Sequence, residues 1–160
     1  MHLTISKGFF QKDFLIARDG GALAGLGIVG MTASLRPSDG GGAHHQYVIE
    51  TRAEGSHLAL IWRRDGQDMG LLEPMTAGTV VDGIAMTGGL RYGLEPMENK
   101  SFSLRCDGRP VGTLVRTGNW FSRGYVMETG QDIPVEAAGM LVFMALAYPA
   151  LRLFAYVGSR

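Results

Sequence analysis

Residues 134–156 read PVEAAGMLVFMALAYPALRLFAY, and the reading of that stretch decides the fold. From Ala137 to Leu151 it carries no charge, and no polar stripe interrupts it. A helix that is apolar all round is enclosed by protein or by lipid. Glu136 at its start and Arg152 towards its end suit the two poles of a helix dipole. Asp132 followed by Pro134 reads as a cap and a proline at the first turn. A bilayer crossing takes about 20 apolar residues. The uncharged run is shorter, and Pro149, which lacks an amide hydrogen, should kink the helix or end its regular part near Tyr148. The expectation is a buried core helix over about 134–153, and a membrane anchor is the alternative.

The rest of the chain supplies what encloses it. Three segments share a pattern of apolar run, Asp-Gly and second run: Phe14 to Leu26 with Asp19-Gly20, Leu58 to Leu72 with Asp65-Gly66, and Phe102 to Val115 with Asp107-Gly108. Asp-Gly suits the left-handed dihedrals of tight hairpin turns, so this is a weak internal repeat of hairpins. A further hairpin is expected from Tyr47 to Gly55 running into Leu58. Other strand candidates are Leu3 to Ile5, Gly30 to Leu35, Thr79 to Asp82, Met86 to Tyr92 and Tyr125 to Glu128. PSDGGGA at 37–43 reads as a loop. The sum is about twelve short strands followed by one helix. A helix is about 10 Å across, an eight-stranded barrel is filled by its own side chains, and a can of about eleven strands holds a central helix. The expected fold is therefore mainly β: a closed antiparallel barrel of about twelve strands around the hydrophobic C-terminal helix, as one domain over 1–160.

Composition agrees. The 15 basic and 15 acidic residues cancel, which gives no general electrostatic reason to expect nucleic acid or an anionic membrane as a partner. Hydrophobic residues at 46% exclude a disordered chain, and 24 glycines favour many turns and bent strands. One cysteine, Cys106, allows no internal disulfide. The opening MHLTISKGFFQKDF lacks the long apolar run of a signal peptide. A cytoplasmic location is expected.

The Asp-Gly hairpins, the stretch from Ser101 to Leu153 above all, ending in an apolar C-terminal helix, resemble the tubby C-terminal-like group: tubby proteins, phospholipid scramblases and the plant LURP-one-related proteins. The resemblance implies a twelve-stranded barrel around a hydrophobic C-terminal helix. No residue motif for the tubby phosphoinositide site is present, nor an acidic calcium segment of the scramblase kind. Fold alone does not bring function with it.

Candidate sites are few. Gly25-Leu26-Gly27-Ile28-Val29-Gly30 matches GxGxxG, but Pro37 closes the segment where a dinucleotide site needs a long helix; a bent strand crowded against the central helix is expected instead. His44 and His45, adjacent on a strand, point to opposite faces and cannot readily share a metal. Cys106 has no base near it in sequence, and no GxSxG elbow is present. Neither a catalytic residue nor a cofactor or metal site is expected. The suggestive loop is GNWFSRG at 118–124: Trp120 and Phe121 lie between Arg116 and Arg123, the composition of a loop that touches a bilayer interface, although aromatic residues there more ordinarily cover one end of the core, and that is the favoured reading. Arg63 and Arg64 could bind phosphate or pair with Asp65 and Asp68. The function expected is a non-enzymatic binding or scaffold module, with a phospholipid headgroup or a protein as partner and a peripheral place at a membrane; the alternatives are a membrane-tethered protein and an enzyme with a pocket at the barrel mouth.

Overall fold

A computed structural model describes residues 1–40, 43–54, 57–74, 81–85, 90–118 and 122–158. These contain twelve strands: β1 (His2–Lys7), β2 (Phe14–Arg18), β3 (Gly21–Val29), β4 (Thr32–Pro37), β5 (His45–Glu54), β6 (His57–Arg64), β7 (Gln67–Pro74), β8 (Val81–Ala85), β9 (Arg91–Pro96), β10 (Phe102–Cys106), β11 (Arg109–Gly118) and β12 (Arg123–Thr129). One α-helix, α1 (Val135–Gly158), follows them. The protein is mainly β, an antiparallel sheet with one C-terminal helix. Each strand pairs with its neighbours in sequence, and β1 pairs with both β2 and β12. Between β7 and β8, Glu73 faces Asp82 and Pro74 faces Val81.

Two strand boundaries differ from expectation. The second half of the pair after the 75–80 segment begins at Arg91, not Met86, and β8 occupies 81–85; Thr79 and 86–89 lie outside the described residues. The segment expected as a strand from Gly30 begins at Thr32, because Gly30, at φ 59°, belongs to the turn.

The three Asp-Gly turns are built alike. Asp19, Asp65 and Asp107 stand at φ 51°, 51° and 49°, and Gly20, Gly66 and Gly108 at φ 80°, 82° and 77°. This run of left-handed residues is what Asp-Gly tolerates. Each hairpin also carries a register shift shortly before the turn, between Ile16 and Ala17, Trp62 and Arg63, and Leu104 and Arg105. Such bulges sharpen the local twist. In two of the three, the aspartate ties the turn to the preceding strand. Asp65 accepts from the Gln46 amide at 2.8 Å and its own amide donates to the Gln46 carbonyl at 2.8 Å; Asp107 does the same with Arg91, at 2.9 and 2.7 Å. The hairpins β2–β3, β6–β7 and β10–β11 are thus equivalent pieces, and all three turns lie at the end of the sheet where α1 begins.

The helix is the core. Residues 137–147 are buried, apart from half-buried Leu146, and α1 packs on β3, β4, β6, β7 and β9. At 24 residues it is about 36 Å long, enough to run the height of the strands. Gly139 sets its closest approach: a Cβ there would come 3.2 Å from Leu35 Cδ1 and 3.7 Å from the Cδ1 atoms of Ile16 and Leu26. Two expectations about its ends are corrected. The helix does not end near Tyr148 but runs on through Pro149 to Gly158, although the proline withholds one hydrogen bond. Asp132 is not the cap. The Pro134 carbonyl accepts from the Ala138 amide at 3.0 Å, while Asp132 lies 3.6 Å from Arg18. Among the described residues, no helix is long and apolar enough to cross a membrane.

Candidate functional site

The strand directions sort the loops onto two ends. At one, where the Asp-Gly turns gather, α1 enters; at the other lie residues 8–13, 30–31, 97–101 and the β11–β12 connection. The cations singled out from sequence divide between them. Arg63 and Arg64 belong to the helix-entry end, Arg116 and Arg123 to the far end. They do not form one site.

At the helix-entry end the arginines are engaged. Arg63 Nε donates to Asp68 Oδ1 at 2.8 Å and lies 3.5 Å from Glu50. Arg64 Nη1 donates at 2.9 Å to Glu136 Oε1, which also accepts from the Tyr47 hydroxyl at 2.6 Å. Tyr47 is fully buried and stacks on Trp62, with ring centroids 5.9 Å apart. Burial, and then the hydrogen bond to Glu136, push the Tyr47 hydroxyl far above the ordinary tyrosine range; the same carboxylate raises the Arg64 guanidinium. Nearby, His45 Nδ1 stands 2.7 Å from Asp65 Oδ2. The Gln46 amide, and then His45, hold the Asp65 carboxyl below its usual range. Trp62 Nε1 is buried without a partner among the described residues. This cluster fastens the first turn of the helix to β5 and β6, which is a structural task.

The far end is different. Arg116 lies opposite Tyr125, and Arg123 opposite both Gly118 and Lys7. Side chains paired across antiparallel strands share a face, and Tyr125 is a buried core residue. Lys7, Arg116 and Arg123 therefore stand on the inward face, just past the last buried layer, at the open rim. Burial raises the Tyr125 hydroxyl while the charges of Arg116 and Arg123 pull it down. Both arginines are exposed, and neither forms an ion pair among the described residues. Lys7 Nζ sits 5.6 Å from the centroid of the Phe14 ring. Trp120 and Phe121, the aromatic part of the expected loop, lie outside the described residues.

Beside this rim is a feature that the sequence reading missed. Residues 8–11 form a turn in which the Gln11 amide donates to the Gly8 carbonyl at 3.1 Å and the Gln11 side chain accepts from the Gly8 amide at 2.9 Å. Phe9 and Phe10 occupy its tip, 69% and 94% exposed, with rings edge-on at 5.0 Å. The loop base is seated by Asp13, 3.9 Å from Arg36 and lodged against Gly27, where a Cβ would come 2.9 Å from its carboxylate. A cleft of about 490 Å³ lies beside the loop and against β3–β4, with Lys7, Lys12 and Arg36 among its lining. The available signal was Gly8-Phe9-Phe10 between Lys7 and Lys12, two large apolar residues where alternation had stopped.

The remaining candidates have ordinary surroundings. Gly27 is crowded by Asp13 and Ser34, not by the helix as expected, and Gly25 has open space beside it. Cys106 is packed in the core beside Tyr92, whose hydroxyl is raised by burial and then by that thiol. Among the described residues, no three His, Cys, Asp or Glu side chains come together as a metal site. Comparison with protein-family models, curated proteins and solved structures finds no match.

Proposed function

We propose that the ring of strands closes as a barrel of the tubby C-terminal-like kind, and that the chain is a non-enzymatic binding module whose far end rests on anionic phospholipid. Closure is supported by the burial of residues 137–147 on all sides of α1, since a helix against an open sheet keeps a solvent face. The function rests on one observation: Lys7, Arg116 and Arg123 converge at the open rim, and the two arginines have no acidic partner among the described residues. Such a rim sits at a headgroup layer without first breaking ion pairs. The implied position is peripheral, on the cytoplasmic face of a membrane.

Each basic residue near an anionic surface contributes about 1 kcal/mol, falling off within a Debye length. Replacing both arginines by alanine removes about 2 kcal/mol, roughly a 30-fold loss of binding. The test is co-sedimentation of the full chain with phosphatidylserine-containing vesicles at low salt, against neutral vesicles. The expected result is binding to the anionic vesicles that rising salt and Arg116→Ala/Arg123→Ala both weaken. No sedimentation at low salt overturns the reading.

A further inference from the structure

The Phe9–Phe10 turn is the most exposed apolar feature among the described residues, and its construction points to a use. Two adjacent phenylalanines at 69% and 94% exposure lose contact with water only by meeting something else. They are not on a slack loop. The backbone bond from Gln11 to Gly8, the return bond between the Gln11 side chain and the Gly8 amide, and the seating of Asp13 in the notch at Gly27 present them as a fixed tip. Lys7 and Lys12 flank them in sequence, and Lys7 pairs in register with Arg123 of the basic rim. An apolar tip flanked by cations complements an anionic bilayer interface: the rings enter the acyl boundary while the ammonium and guanidinium groups stay with the headgroups. An acidic protein surface matches the cations but offers the rings no apolar layer to enter.

We propose that Phe9 and Phe10 form a membrane-inserting wedge that anchors the chain in anionic phospholipid bilayers. The inference rests on the reading of the far end as a phospholipid-binding surface, to which it adds a salt-resistant apolar component. Burying part of two phenyl rings corresponds to about tenfold or more in partitioning.

The experiment uses the full chain with phosphatidylcholine/phosphatidylserine vesicles at low and high salt. The wild-type protein is expected to keep a fraction of its binding at high salt; Phe9→Ala/Phe10→Ala is expected to lose about tenfold at low salt and all binding at high salt, with an unchanged melting temperature. A Phe10→Trp variant, read against the unsubstituted protein, is expected to show blue-shifted emission that brominated acyl chains quench. If the wild type binds and the double alanine variant binds equally well, the wedge is overturned and the electrostatic reading stands. If the wild type does not bind at any salt, both fall. If sedimentation equilibrium without vesicles shows a dimer that the double variant dissolves, the phenylalanines serve a second copy of the chain and the wedge is overturned.

Discussion

Glu136 accepts from both Tyr47 and Arg64, so one carboxylate joins the helix to two strands. A hydrogen bond to a charged group contributes about 1.5 to 3 kcal/mol, and Tyr47→Phe is expected to lower the unfolding free energy by that amount in urea titrations near neutral pH. The pH arm has a definite sign. The folded-state hydroxyl of Tyr47 is raised above its unfolded value, so its contribution is complete below about pH 10, the ordinary tyrosine range. Above that, ionisation of the unfolded chain removes it, and the gap between wild type and Tyr47→Phe should close. A gap that widens above pH 10 contradicts this. Sequence offered part of the picture: Glu136 was legible as a first-turn acid and Arg64 as a cation with an acidic partner. Which acid it takes was not, because Glu136 lies 72 positions from Arg64 and only the docking of the helix brings them together.

At the scale of elements, α1 and the three Asp-Gly hairpins carry the fold. The hairpins were legible because a turn that demands left-handed dihedrals leaves a local mark in composition, and the structure finds Asp and Gly in that conformation three times. The end of α1 was misread because a proline marks only its own missing hydrogen bond, and the helix continues past it to Gly158. Gly139 marks how closely the helix sits on β2, β3 and β4. Alanine there exchanges a helix-propensity gain of about 1 kcal/mol for a 3.2 Å contact with the end of a flexible leucine, so it should be near neutral. Leucine has no space, and Gly139→Leu is expected to cost about 3 kcal/mol or more by overpacking, measured as a drop in urea midpoint. Equal stability of the two variants would show that the helix stands farther from the wall.

For the whole molecule, the wall and its filling depend on each other. Leu3, Ile5, Ile16, Leu26, Leu94, Leu104 and Leu114 are fully buried and belong to one cluster with Leu141, Val142, Phe143 and Met144 of the helix. A chain ending at Asp132 leaves those inward side chains facing a void wide enough for water. We expect it to lose the cooperative urea transition and to bind an apolar dye that the full chain excludes; a truncated chain with a sharp two-state transition would show that the strands need no core. The basic and apolar far end is likewise a whole-molecule property, because strands from the beginning and end of the chain, β1 and β12, meet there.

By itself, the sequence determined the class: about twelve short strands, three alike hairpins, and an apolar helix too polar-free to lie on a surface. Those are consequences of local dihedral preference and of side-chain periodicity, which residues carry wherever they are placed. The tertiary structure decided what each charged and aromatic residue is for. Arg63 and Arg64 read as phosphate binders or as partners of Asp65 and Asp68; Arg63 does meet Asp68, Arg64 takes Glu136, and antiparallel register puts both at the opposite end from Arg116 and Arg123. Phe9 and Phe10 drew no reading from the sequence, and only the folded chain shows them exposed. Exposure and charge pairing depend on neighbours distant in sequence, so they exist only after the chain has folded.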